Sequence, residues 1–293
     1  VKHKILLFSA LFAFIFLVGL FDRRCFKSNN GFSLHVIEAP FPALPDPNSP
    51  LPFPKELFDK PFHYLGKGAQ SFVFESEDKK TVLKFYRFPS HLRRFPWVNH
   101  PFGYLFSAER KKIKEYNLKR LELSFHSFYL AAEPLIHETG VLYVHLQPTD
   151  NLQQKVHLID RLGTHHNLPL DSLVFVVQKR GVSFLPLFKE EFAKGNKERC
   201  KQMINSLIDL IHRRCSHHIT DLDNMEHDNY GWLDGKAIHL DIGRFHEKDA
   251  LNAEVEIARV AEPLTNFLAK ASPELHAYFE CSVKALSLIH TID

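Results

Sequence analysis

Residues 219–243 read Ile219-Thr220-Asp221-Leu222-Asp223-Asn224-Met225-Glu226-His227-Asp228-Asn229-Tyr230-Gly231-Trp232-Leu233-Asp234-Gly235-Lys236-Ala237-Ile238-His239-Leu240-Asp241-Ile242-Gly243. A polar loop, 219–229, opens into two short runs around Asp234-Gly235. Asp-Gly tolerates the left-handed backbone that a two-residue hairpin turn demands. The hairpin therefore starts right after Asn229 and closes on Asp241-Ile242-Gly243. The plainer reading of the same letters is an ordinary set of Asp and Gly turns.

On the N-terminal side of this loop, Asn196 can cap a helix in which Met203, Leu207, Leu210 and Ile211 share a face. On the C-terminal side, two helices are expected, at about 248–269 and 273–290, with Pro273 suited to a first turn. Further upstream, 142–147, 155–160 and 172–178 read as strands. Ser107 can cap a long helix to about Leu130, whose apolar stripe is Leu118, Leu121, Phe125, Phe128 and Tyr129. From Tyr64 the chain reads strand, glycine turn, strand, polar turn, strand. Residues 87–105 are basic, aromatic and irregular: a loop insertion packed over the first lobe, or a segment lying on lipid headgroups.

This order resembles the protein-kinase-like fold over roughly residues 60–290. The resemblance is carried by individual motifs. Gly66-Lys67-Gly68-Ala69-Gln70-Ser71-Phe72-Val73 is similar to the glycine-rich nucleotide loop, with Ser71 where a third glycine usually sits. One strand later, Val82-Leu83-Lys84 looks like the element whose lysine pairs with the α- and β-phosphates. The resemblance implies a carboxylate partner from the following helix. Of Glu109, Glu115 and Glu122, the helical wheel puts Glu122 in the apolar stripe, where a carboxylate needs a cation. A solvated Glu beside the stripe is the alternative. Asp223, Asn229 and Asp241-Ile242-Gly243 match the catalytic Asp, the metal-binding Asn and the Asp-x-Gly that holds Mg²⁺.

The sequence also departs from the family pattern. The loop lacks His-Arg before Asp223, and Asp223 to Asn229 is one residue too long. Asp221 is thus a second candidate base, and Asp228 a second candidate metal ligand. No Ala-Pro-Glu element follows Gly243, so the platform for peptide substrates is missing. These departures make the chain resemble atypical kinases, such as aminoglycoside phosphotransferases and lipopolysaccharide-core sugar kinases, or a pseudokinase. It also resembles kinase-like proteins of Chlamydia-like bacteria. ATP and Mg²⁺ are the implied cofactors. The implied function is phosphate transfer to a small-molecule, lipid or protein hydroxyl. The alternative is an inactive binding or regulatory module.

The chain is 293 residues long with net charge +3, so nucleic acid is not an expected partner. Hydrophobic residues make up 45%, enough for a sizeable core. Cys25, Cys200, Cys215 and Cys281 are far apart in sequence and read as free thiols. His212, Cys215, His217, His218, Asp221, Asp223 and His227 crowd one segment, but their spacing matches no familiar zinc set. Ile5–Phe21 is uncharged between Lys4 and Asp22 and reads as an uncleaved membrane anchor at the chain's N-terminus. The expected organisation is a transmembrane anchor with flanks (1–27), a Pro-rich linker (28–57), a β-rich N-lobe (58–180) and a helical C-lobe (181–293). The expected fold class is α+β, two-lobed and kinase-like behind a transmembrane helix. The expected location is the membrane, single-pass, with the folded part facing the cytoplasm if it is an active kinase; basic residues flank both ends of the run, so the orientation is otherwise open.

Overall fold

The computed structural model describes residues 2–37, 51–87, 107–225 and 228–289. Its first element, helix α1 (Lys2–Ser28), corrects the expectation of a membrane anchor. Among the described residues, no helix is long and apolar enough to cross a membrane. The helix does not stop where the charges begin. It runs on through Asp22, Arg23, Arg24 and Lys27, so charged side chains crowd the second half of the same rod. Its end is docked on the folded body. Asn29 Nδ2 donates to Asp160 Oδ2 at 2.9 Å, and Phe32 is buried against Phe72 and Phe74. The single-pass location falls with the anchor. Side chains from Leu11 to Phe21 are exposed.

A short helix, α2 (Leu34–Ile37), and the turn Lys55–Phe58 also pack on the sheet, through Val36, Ile37 and Phe58. Residues 38–50 of the Pro-rich segment and 88–106 of the basic-aromatic segment lie outside the described residues. The sheet begins with β1 (Phe62–Lys67), β2 (Ser71–Ser76) and β3 (Thr81–Tyr86), an antiparallel meander. Helix α3 (Ser107–Ala132) and the single turn α4 (Ile136–Thr139) follow. Then come β4 (Val141–His145), β5 (Lys155–Ile159), β6 (His165–Pro169) and β7 (Phe175–Lys179). The seven strands lie in the order β4-β7-β3-β2-β1-β5-β6, with β1 and β5 parallel.

Alternation sends Phe62, Phe72, Phe74, Phe85 and Phe175 to one face, where they meet Phe32 and Phe58. Much of the Phe excess is therefore one aromatic core. Strand β3 is buried on both faces except at Lys84. The other face of the sheet, with Tyr86 of β3 and Val176 of β7, packs on Leu121, Phe125 and Phe128 of α3.

The chain then crosses through Arg180 and Gly181 into β8 (Val182–Ser183), α5 (Phe184–Ala193) and α6 (Lys197–Ser216). A β-carbon on Gly181 would sit 2.9 Å from Ile238 Cδ1 and 3.0 Å from Leu240 Cδ2, so the crossing runs close against side chains of the second lobe. Helix α6 buries Met203, Leu207, Leu210 and Ile211 and is the axis of the second core. After β9 (Ile219–Asp221), the hairpin β10 (Tyr230–Leu233) and β11 (Lys236–His239) turns on Asp234 and Gly235, at φ 48° and 84°. Strand β12 (Phe245–Glu247) pairs with β9. The expected 248–269 helix is two, α7 (Ala253–Val260) and α8 (Glu262–Ala271), because Pro263 in the first turn of α8 starts a new helix. Helix α9 (Pro273–Ile289) closes the described chain. The whole is a mixed α+β fold of two lobes, a curled sheet and a helical body.

Candidate functional site

Between the two lobes lies a cleft of about 500 Å³. Leu65, Gly66, Gly68, Val73 and Val82 line it from the sheet, and Asp228, Asn229, Leu240 and Asp241 from the hairpin side. The crossing 178–183 closes one end. Gln178 ties the lobes together there, donating to Thr139 O at 2.7 Å and His239 O at 2.9 Å.

Lys84 enters this cleft because it is the one position of β3 not fully packed. Its ammonium donates to Leu240 O across the lobes. Burial pulls its pKa below the usual lysine range, and the Asp241 charge opposes that pull. Glu122 is not in the site: its side chain is exposed on α3, as are those of Glu109 and Glu115. The buried face of α3 centres on Leu121, Ser124, Phe125 and Phe128. One residue on from Leu121, at about 100° per residue, Glu122 has turned out of the core.

The hairpin register brings Asn229 to Asp241. Tyr230 pairs with His239, so Asn229 O accepts from Leu240 N at 2.8 Å and from Asp241 N at 3.2 Å. Asn229 Nδ2 donates to Asn224 O at 3.0 Å, so its carbonyl oxygen remains as a hard donor. Asp241 Oδ1 accepts from Gly243 N at 3.1 Å. Asp228 is exposed and adopts φ 63°.

Asp221 and Asp223 are separated by environment. Asp221 is 2% exposed, and burial pushes its carboxyl up to about 7 despite Arg214. It accepts from Asp223 N at 3.0 Å and from Tyr230 Oη at 3.2 Å. Asp223 is partly buried, and Arg244 Nη1 lies 3.1 Å from its Oδ1. Burial raises its pKa, and the Arg244 charge works against that rise.

Beneath the loop sits a charged network that the sequence reading missed. Arg214, fully buried, donates to Glu256 Oε2 at 2.9 Å and to Tyr230 Oη at 2.9 Å. Arg259 donates to Glu256 Oε2 at 2.9 Å and to the carbonyls of Asp221 and Asp223. A signal existed: Arg214 follows Leu207 and Ile211 at helical spacing, inside the apolar stripe. Ser127 was missed as well. It donates to Ile242 O at 2.6 Å and accepts from Phe245 N at 2.7 Å, pinning the Asp241-Ile242-Gly243 segment to α3.

The donor set suits magnesium. One carboxylate and one amide oxygen leave most of the coordination to phosphate and water, which is how Mg²⁺ is usually held. Among the described residues, no group of three or more His, Cys, Asp or Glu could hold a metal by itself, and the four cysteines are free.

No protein-family model and no curated protein matches the chain. Solved structures do show similarity. A medium-resolution structure of the bifunctional kinase-methyltransferase WbdD is 14% identical, with TM-score 0.33, covering 73% of this chain and 43% of that one. A high-resolution WbdD crystal structure is 14% identical, with TM-score 0.36, covering 78% and 47%. The complex of Rv3197 with erythromycin from Mycobacterium tuberculosis is 12% identical, with TM-score 0.34, covering 77% and 55%. The chain spans about half the length of these proteins. A likeness at these scores assigns neither fold nor activity to this chain.

Proposed function

We propose that the chain is a nucleotide-dependent phosphotransferase. It would move the γ-phosphate of ATP to a hydroxyl on a small-molecule, lipid or protein acceptor. Residues 58–180 and 181–293 form its two lobes. One observation carries the reading: Lys84, Asn229 and Asp241, from distant parts of the chain, line one cleft beneath Gly66 and Gly68. In this reading Gly66, Gly68 and Ser71 leave room for the phosphates, and Lys84 pairs with the α- and β-phosphates. Asn229 and Asp241 would hold Mg²⁺, which when bound neutralises phosphate charge. Asp223 accepts the hydroxyl proton as the new O–P bond forms and the bond to the ADP oxygen breaks. Its raised pKa suits a proton acceptor. Asp221, sealed beneath the loop, holds the backbone of Asp223.

A second reading is nucleotide binding without transfer, the pseudokinase case. Its support is that no α3 carboxylate faces Lys84 and that Arg244 engages Asp223. A thermal-shift titration with ATP and Mg²⁺, followed by a phosphate-release assay, separates the two. Stabilisation by about 3 kcal/mol at a hundredfold excess over Kd is expected, and Asp241→Ala should abolish it. No shift with any nucleotide refutes both readings. A shift without turnover selects the second.

A further inference from the structure

Gln70 lies in the glycine turn, yet its side chain does not line the nucleotide cleft. It lines a small cavity with Ser71, Lys84, Tyr86, Phe128 and Asp241, which adjoins the cleft through Ser71, Lys84 and Asp241. Its Nε2 donates to Gly243 O at 3.2 Å, across 173 residues of chain. Its Oε1 is buried and has no hydrogen-bond partner among the described residues. A β-carbon on Gly243 would lie 1.9 Å from that Oε1 and 2.5 Å from Cδ. Gly243 is not in the left-handed region, so a side chain there would meet Gln70 first, and Gln70 would have to leave its place to admit it. A buried acceptor without a donor is costly. An apolar side chain would fill the same space at lower cost, so packing alone is a poor account of the residue.

The contact has a direct line to the candidate metal ligand. Gly243 N donates to Asp241 Oδ1 at 3.1 Å, while Gly243 O accepts from Gln70. One peptide segment therefore joins the glycine loop to the Asp241 carboxylate. We infer that Gln70 is a positioning residue, a latch that couples closure of the glycine loop to the aim of the Asp241 carboxylate. It serves the metal-dependent part of nucleotide binding. The inference rests on the phosphotransferase reading above.

The test is calorimetric titration of the full chain with ATP, with and without Mg²⁺, for the wild type, Gln70→Ala and Gln70→Met. Met keeps the length of the side chain and removes the amide, so it reports if the Ala variant does not fold. Affinity without metal should be unchanged, and affinity with Mg²⁺ should fall about tenfold, the scale of losing a group that orients a metal ligand. Thermal unfolding of Gly243→Ala should show a lowered Tm, largely restored in the Gln70→Ala/Gly243→Ala double variant. Wild-type affinity and Mg²⁺ dependence in both Gln70 variants overturn the latch alone, as does an unrelieved Gly243→Ala defect. No nucleotide binding by the wild type overturns the latch together with the phosphotransferase reading.

Discussion

Replacing Asp221 by Asn should stabilise this protein at alkaline pH and leave it nearly unchanged near pH 4. Burial raises the Asp221 carboxyl from 3.8 to about 7. Below pH 4 the side chain is protonated in both the folded and unfolded chains. Between about 4 and 7 the unfolded chain releases the proton and the folded chain keeps it, so stability falls as pH rises. Above 7 both are ionised and the loss is complete. A shift of about three pKa units at about 1.4 kcal/mol each is about 4 kcal/mol. Asn cannot ionise and escapes that loss, while its one oxygen still accepts from Asp223 N and its Nδ2 takes the place of the carboxylate oxygen that faces Tyr230 Oη. Other carboxylates slope the opposite way. Hydrogen bonds hold Asp160 and Asp171 below their usual range despite burial, so their contributions are lost in acid. The difference between variant and wild type cancels them. Urea unfolding at several pH values from 4 to 8 measures it, with the difference expected to grow from near zero to about 4 kcal/mol. A variant less stable than wild type at pH 8, or a difference flat with pH, would refute the reasoning.

Other substitutions probe the remaining parts. Asp223→Asn should lower phosphate transfer by about 10²–10⁴-fold, the usual worth of a general base, with nucleotide affinity retained in calorimetry. Asp221→Asn should transfer phosphate normally, and the contrast distinguishes the two aspartates. Lys84→Met should lose at least about tenfold in ATP affinity yet unfold no earlier, since an ammonium whose pKa burial depresses is itself a cost to folding. Ser127→Ala removes the bonds to Ile242 O and Phe245 N. It should destabilise the fold by about 2–3 kcal/mol in urea unfolding.

What could be read in advance followed local rules. Asp234-Gly235 is a turn because of what those two residues tolerate, and the turn sets the pairing that carries Asn229 to Asp241. Lys84 interrupts an apolar strand, which marks it whatever lies across from it. Gly66 and Gly68 sit between two alternating runs. What could not be read depended on rotation and on distant partners. Glu122 faces solvent because the buried face of α3 is turned about 40° from the stripe that spacing put there, away from Glu122. The N-terminal helix reads as an anchor from its uncharged run, yet its C-terminal end is held by Asp160 and Phe72, residues far along the chain.

The amino-acid sequence by itself determined the glycine turn, the Asp234-Gly235 hairpin and the apolar stripe of α6, since periodicity and turn chemistry act over a few residues. Only the tertiary structure decided that Asp221 is sealed against Arg214 and Tyr230 while Asp223 remains partly exposed, and that Gln70 reaches Gly243. Burial and close approach arise where two lobes meet, and no local pattern encodes how deep a side chain will lie there.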